Sequence, residues 1–254
     1  MLVFRMNIKN NSDQNFLIDS LMIKKLLEYS SVTEDDCVYE IGTGKGEITQ
    51  KLCQKAKFVT SSELDKSLYN ISHNKLSSYN NLDLLHMDGF QYTGKFDVFV
   101  SSLPYSESRR FIYWLINKNF KNAVVILQKE FIDKIMSSPN NTNYRPVSVI
   151  SQYCLDIKLV EILSPSCFDP PPKIQSTMIV IKPRNSLQQS EIYMIKKLFS
   201  SRRKQLHSIL HSLTNNENAL LECNNNFDLS KRIYEFNPTM IISLVKILGN
   251  YDLL

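Results

Sequence analysis

Glu40-Ile41-Gly42-Thr43-Gly44-Lys45-Gly46-Glu47 is the stretch that decides the fold. Three glycines fall within five residues of a 254-residue chain that contains only six. Glycine tolerates left-handed backbone and lets a chain approach a ligand closely, so this turn is where a bound molecule is to be sought. Val38 to Ile41, just before it, is a short apolar run, and helical spacing follows it. Working outward, Phe58 to Ser61, Leu82 to Leu85, Val98 to Val100 and Ala123 to Leu127 are further runs too short for helices. Segments with helical spacing, such as Leu64/Leu68/Ile71 and Phe111/Trp114/Leu115, separate them. That alternation predicts an α/β fold, a parallel sheet covered by helices.

The turn does not match a phosphate cradle. In a dinucleotide fingerprint, G-x-G-x-x-G, the third glycine stands one place later, and the pyrophosphate rests on the helix N-terminus. Here the position after Gly46 is Glu47, whose carboxylate competes for the same positive dipole. No G-K-[ST] closes the turn either. Acidic residues mark the same edge: Glu40 ends the first strand, Glu63 follows the second and Asp88 follows the third. Glu63 lies 21 residues after Gly42, close to the ~20 at which an acid accepts ribose hydroxyls. Glycines at the turn and at Gly89, with these acids, predict a site for an adenosine ligand that has no phosphate and bears positive charge. S-adenosylmethionine, a sulfonium, is that ligand.

Farther out, Ile18 to Tyr29 has the spacing of a helix, with apolar residues at 18, 22, 23, 26 and 27. Ser148 to Leu155 and Thr177 to Ile181 are expected as strands, joined by Ser164 to Lys173, which holds four of the nine prolines. The composition shifts near Lys182-Pro183-Arg184-Asn185. Beyond Glu191 the pattern is helical only, at Ile195/Leu198/Phe199/Leu206/Ile209/Leu210 and Met240/Ile241/Leu244/Leu248. Two domains are expected, 1–184 and a small helical one at 185–254. The Asn-rich stretches 139–143, 215–218 and 224–226 read as loops.

Composition removes other classes. With 43% hydrophobic and 22% charged residues the chain is neither disordered nor collagen-like. The longest aliphatic run, Ala123 to Leu127, is far short of the ~20 residues that span a bilayer. The polar start from Asn7 to Gln14 lacks a signal-peptide core, so a soluble cytoplasmic protein is expected. Five scattered cysteines (37, 53, 154, 167, 223) form no C-x-x-C pair, which predicts reduced packing residues and no metal. His207 and His211 are four apart, but no acid lies between them, which favours a helix surface over a metal site. Net charge is +5, with 22 basic against 19 acidic side chains over 1–185 and 8 against 6 over 186–254. The mild excess permits an anionic partner.

Ser101-Ser102-Leu103-Pro104-Tyr105 follows the fourth strand on the glycine-turn edge. It is similar to the element of methyltransferases that act on exocyclic amines, and most to the Asn-Leu-Pro-Tyr of ribosomal RNA adenine dimethyltransferases. Gln14-Asn15-Phe16-Leu17 resembles that family's N-terminal motif, which closes over the cofactor. Phe168-Asp169-Pro170-Pro171-Pro172-Lys173-Ile174-Gln175-Ser176 resembles its Phe-x-Pro-x-Pro-Lys-Val-x-Ser loop, and Phe199 to Leu206 its Phe-x-x-Arg-Arg-Lys. The motifs are collinear from about Asn7 to the last helix. The resemblance is to the small-subunit type, favoured over the large-subunit (Erm-type) enzymes by Leu103 before Pro104, the triple proline and Arg202-Arg203-Lys204.

The resemblance implies a Rossmann-like class I methyltransferase with a seven-stranded, mostly parallel sheet and a helical C-terminal domain. It implies transfer of methyl groups from S-adenosylmethionine to N6 of two adjacent adenosines near the 3′ end of small-subunit ribosomal RNA, in ribosome biogenesis, by a monomer. The implied cofactor residues are Gln14, Asn15, Leu17, Glu40, Gly42, Gly44, Glu63, Leu64, Asp88, Gly89 and Ser102. Adenine N6 is a poor nucleophile because its lone pair is delocalised, and acceptors on its two protons localise that pair. The implied acceptors are the Leu103 carbonyl and the side chain of Ser102, where the family usually has asparagine; Pro104 shapes the turn. Tyr105 and Phe168 would stack on the base, worth ~1–3 kcal/mol per base. Arg202, Arg203 and Lys204 are the RNA-contact candidates. Alternatives are an Erm-type enzyme, a DNA adenine methyltransferase, disfavoured without a separate sequence-reading domain, and an assembly factor that binds the small subunit with weak or no catalysis.

Overall fold

The computed structural model describes residues 14–253. The expected polar start therefore lies outside the described residues except for Gln14. In chain order the elements are β1 (Phe16–Leu17), α1 (Ser20–Ser30), β2 (Cys37–Ile41), α2 (Glu47–Cys53), β3 (Phe58–Glu63), α3 (Lys66–Leu76), β4 (Leu82–His86), β5 (Val98–Ser102), α4 (Ser108–Leu115), β6 (Asn122–Gln128) and α5 (Lys129–Ile135). There follow α6 (Pro146–Cys154), β7 (Leu155–Leu163), β8 (Phe168–Asp169), β9 (Ser176–Pro183), α7 (Gln189–Ser200), α8 (Leu206–Leu213), α9 (Glu217–Asn226) and α10 (Pro238–Asn250). A seven-stranded sheet runs in the order β4-β3-β2-β5-β6-β9-β7, and β1 pairs with β8 in a separate ribbon.

The chain divides into two compact units. The first holds residues 14–108, 122–128 and 159–180. Its strands β4, β3, β2, β5 and β6 are joined in parallel, as the repeating strand and helix runs predict. Strands β2, β3, β5 and β6 are buried along nearly their whole length, and β2, β5 and β6 stand out as apolar runs, whereas the edge strand β4 is only partly buried, with Asp83 and His86 exposed. Val38, Val59, Val98, Val100, Val124 and Ile126 pack with Ile23, Leu26 and Leu27 of α1 and with Ile48 and Leu52 of α2. Helix α1 begins two residues later than its periodicity suggests. Asp19 caps it, accepting from the Leu21 and Met22 amides at 2.9 and 3.0 Å, and Ile18 is left outside, 53% exposed.

The second unit holds residues 109–121, 129–158 and 181–253. Helix α10 packs against α6, α7 and α9 through Ile241, Leu244, Val245 and Leu248. Two expectations are corrected here. Ser148 to Leu155, expected as a strand, is the helix α6: Pro146 opens it, and the Ser148 hydroxyl accepts from the Arg145 amide at 3.0 Å and donates to the Lys134 carbonyl at 2.6 Å. Six of its nine residues are buried, so the run is apolar on nearly every side and loses helical periodicity. The strand lies next along the chain, at β7. The Asn-rich stretches 215–218 and 224–226 are not simply loops, because α9 runs through them. Asn216 caps it by accepting from the Ala219 amide at 3.2 Å, and Ala219 and Cys223, four apart, anchor its buried face. The loop expected at 139–143 is irregular, as read.

Candidate active site

The parallel register brings the carboxyl ends of β2, β3, β4 and β5 to one edge, with Ile41 beside Ser62, Glu63 beside His86 and Ser102 beside Ile126. The glycine turn leaves β2 at that edge. Gly42, Gly44 and Gly46 have φ of 85°, 56° and 81°, a left-handed succession that disfavours any side chain. The amide of Gly42 donates to the Ser62 carbonyl at 2.8 Å, that of Gly44 to Glu63 Oε2 at 2.9 Å and that of Gly46 to the Thr43 carbonyl at 2.9 Å. The amides of all three glycines and of Thr43 are thus engaged within the protein, so these positions hold no free N–H groups to offer a phosphate. Glu47, in the first turn of α2, is bound by Lys75 at 2.6 Å, which offsets part of its charge.

A buried polar network supports the turn from beneath. Glu40 is 1% exposed. Its Oε2 accepts from Thr49 Oγ1 at 2.6 Å and Ser61 Oγ at 2.7 Å, and Ser61 Oγ is 2.6 Å from Thr43 Oγ1. Oε1 has no hydrogen-bond partner. Burial pushes the Glu40 carboxyl up to about 7, against the two hydroxyl donors that favour its ionised form. Glu63, one strand over, is also raised by burial, opposed by the amides of Asp65 and Gly44. Gly89 sits so close to Ile41 and Ser62 that a Cβ would overlap both, and its carbonyl accepts from Tyr39 Oη at 2.6 Å.

The second turn at this edge is Ser102 to Tyr105. Ser102 closes β5, Leu103 is buried, and Tyr105 opens a short 3-10 turn. The half-buried Tyr105 hydroxyl shares a 2.5 Å hydrogen bond with Ser176 Oγ, and burial raises its pKa. Phe168 is not on a loop: it lies in β8, opposite Leu17 of β1, and is 3% exposed.

One cavity gathers most of the expected residues: Gln14, Asn15, Leu17, Gly42, Gly44, Glu63, Ser102, Leu103, Pro104, Tyr105 and Phe168 all line it. Four expected cofactor residues do not. Glu40 lies beneath the turn, Leu64 is 64% exposed, and Asp88 caps the 3-10 turn at Gly89 by accepting from the Phe90 amide at 3.1 Å; Gly89 is buried. Residues not foreseen as lining are Phe16, Thr43, Lys45, Glu47, Ile48 and Leu68. Thr43 and Lys45 could have been found from their place between the glycines. Arg202 is engaged within the helical unit, donating to the Thr142 carbonyl at 3.2 Å and lying over Tyr234 at 4.9 Å. Arg203 and Lys204 are exposed. Among the described residues no cluster could hold a metal ion, and no helix is long and apolar enough to cross a membrane.

The cavity presents carboxylates at Glu47 and Glu63 and apolar surface at Leu17, Ile48 and Leu68. The family model described as Ribosomal RNA adenine dimethylase matches residues 5–249. The sequence is 34% identical over 215 residues to the ribosomal RNA small subunit methyltransferase A of Clostridium acetobutylicum, covering 79% of this chain and 78% of that one. It is 32% identical over 232 residues to the protein of the same name from Clostridium botulinum, covering 85% and 84%. Among solved structures it resembles a dimethyladenosine transferase from Plasmodium falciparum, with a TM-score of 0.79, 25% identity and 93% and 98% coverage. The 23S rRNA methyltransferase ErmE shares the fold, with a TM-score of 0.67, 20% identity and 92% and 100% coverage.

Proposed function

As this chain belongs to the ribosomal RNA adenine dimethylase family, we propose that it transfers methyl groups from S-adenosylmethionine to N6 of adjacent adenosines in small-subunit ribosomal RNA. The observation that carries this reading is the single cavity lined both by a glycine turn whose amides are engaged and by the Ser102–Tyr105 turn. The first suits a phosphate-free nucleoside and the second an exocyclic amine.

When bound, S-adenosylmethionine supplies an electrophilic methyl group on its sulfonium. Glu63 accepts the ribose hydroxyls, and Gln14 and Asn15 hold the cofactor from the N-terminal side. The Leu103 carbonyl and Ser102 Oγ would accept hydrogen bonds from the two N6 protons, localising the lone pair for attack. Tyr105, fixed by Ser176, and Phe168 flank the flipped base. No strong general base is needed, because the methylated amine is acidic while it is still cationic. Residues 1–184 carry this chemistry, and 185–254, with Arg203 and Lys204, contact RNA phosphates. Glu40, Asp88 and Gly89 serve the cofactor from beneath by holding its two loops, and Leu64 covers it from outside.

The test incubates the protein with labelled S-adenosylmethionine and either immature small subunits or large-subunit RNA, and maps modified bases by primer extension. Label on adjacent adenosines of the small-subunit RNA is expected. Label in large-subunit RNA alone, or small-subunit binding with no label, overturns the proposal.

A further inference from the structure

Lys45 stands at the tip of the glycine turn and is the one cation among the described residues that line the cavity. Its ammonium lies 3.5 Å from the Asp169 carboxylate and 4.8 Å from the centroid of the Phe16 ring. Phe16 and Asp169 are direct partners across the β1–β8 ribbon. Phe16 also packs on the turn itself, since a Cβ at Gly44 would stand 3.1 Å from its ring. Three segments remote in sequence thus meet at one ammonium. The ribbon continues into the cavity at both strands: Gln14 and Asn15 precede β1, and Phe168 precedes Asp169 in β8.

We propose that Lys45 is a positioning residue that clasps this ribbon to the glycine turn and so couples cofactor binding to acceptor binding. The inference rests on the methyl-transfer reading above, in which Gln14 and Asn15 hold the cofactor and Phe168 the base. A cofactor beneath residues 14–17 holds β1 down. The ladder holds β8 to β1, and β8 carries Phe168. By linkage, an acceptor base seated on Phe168 tightens the cofactor by the same factor. Lys45 controls how stiffly the ribbon passes on either event, because both groups facing its ammonium belong to the ribbon. The ion pair is about half exposed, with Lys45 at 47% and Asp169 at 59%. Together with the cation–π contact, a pair of this kind supports an affinity change of roughly three- to tenfold.

The experiment titrates S-adenosylhomocysteine into the full chain calorimetrically, with and without a small-subunit RNA fragment carrying the target adenosines. It compares wild type, Lys45→Met, Lys45→Arg, Asp169→Asn and the Lys45→Met/Asp169→Asn double variant, and follows amide exchange across β1 and β8 without ligand. Lys45→Met is expected to weaken binding roughly three- to tenfold, to reduce the tightening by RNA and to speed exchange in the ribbon. Lys45→Arg restores all three, the double variant is no worse than Lys45→Met, and in turnover the loss falls on KM for the cofactor. Fully additive losses in the double variant, or wild-type exchange in Lys45→Met, overturn the clasp. Exchange needs neither cofactor nor RNA. If wild type binds no S-adenosylhomocysteine, the methyl-transfer reading fails while the exchange result still decides whether Lys45 holds the ribbon.

Discussion

The two turns at the site edge are built in opposite ways. The glycine turn has three left-handed residues and rests on a buried carboxylate, Glu40, linked to Thr49, Ser61 and Thr43 by bonds of 2.6–2.7 Å. The Ser102–Tyr105 turn has no buried charge. It is held by the burial of Leu103 and by hydroxyl contacts of Tyr105 with Ser176 and of Ser101 with the Ile41 carbonyl. The glycine turn, which in the proposed reaction faces the cationic cofactor, is braced by a polar network. The Ser102–Tyr105 turn, which in the proposed reaction offers its carbonyl and hydroxyl to the substrate amine, is braced by packing instead.

The sharpest way to break this contrast is pH. Glu40 sits near 7 in the folded chain, against about 4.3 for an ordinary glutamate. The folded state therefore holds a proton that the unfolded state releases. Stability from this group is fully present below about pH 4 and is lost as pH rises through 7, by about 4 kcal/mol. Glu40→Gln, uncharged throughout, is expected to flatten the fall of Tm between pH 5 and 8. An unchanged slope in differential scanning fluorimetry would remove Glu40 as its cause.

Smaller effects are expected at the second turn. Ser102→Ala deletes one of the two proposed N6 acceptors while leaving the Leu103 carbonyl, and is expected to lower kcat roughly tenfold, or about 1.4 kcal/mol. Ser102→Asn should retain activity. Equal rates in all three proteins, measured with labelled cofactor, would show that this side chain is idle. Tyr105→Phe removes only the hydrogen bond to Ser176 and should cost about 1 kcal/mol of stability in urea unfolding, with stacking preserved.

Much of this was legible beforehand, for identifiable reasons. Strands β2, β5 and β6 are buried along nearly their whole length, so their apolar runs stand out, and the edge they define follows from parallel connection alone. Helix α6 did not stand out, because burial on most sides erases the period that distinguishes helix from strand. β7 carries the alternation Leu155/Ile157/Leu159 with Asp156 and Lys158 between, a signal overshadowed by the apolar run just before it. The difference between Glu40 and Glu63 could not be read from spacing. In the β2–β3 register Glu40 pairs with Ser61, two residues short of Glu63, so it is set back about 7 Å from the edge.

The amino-acid sequence by itself determined the family, the α/β order, the glycine turn and the acceptor turn, because each is written in neighbouring residues whose backbone or hydrogen-bonding needs are local. Tertiary structure alone decided which carboxylate faces the cavity and which lies beneath it, that Phe168 is a strand residue, and that Phe16, Lys45 and Asp169 meet. Those outcomes depend on strand register and on contacts between segments from 21 residues apart, as at Glu40 and Ser61, to 153 apart, as at Phe16 and Asp169, and no local pattern encodes them.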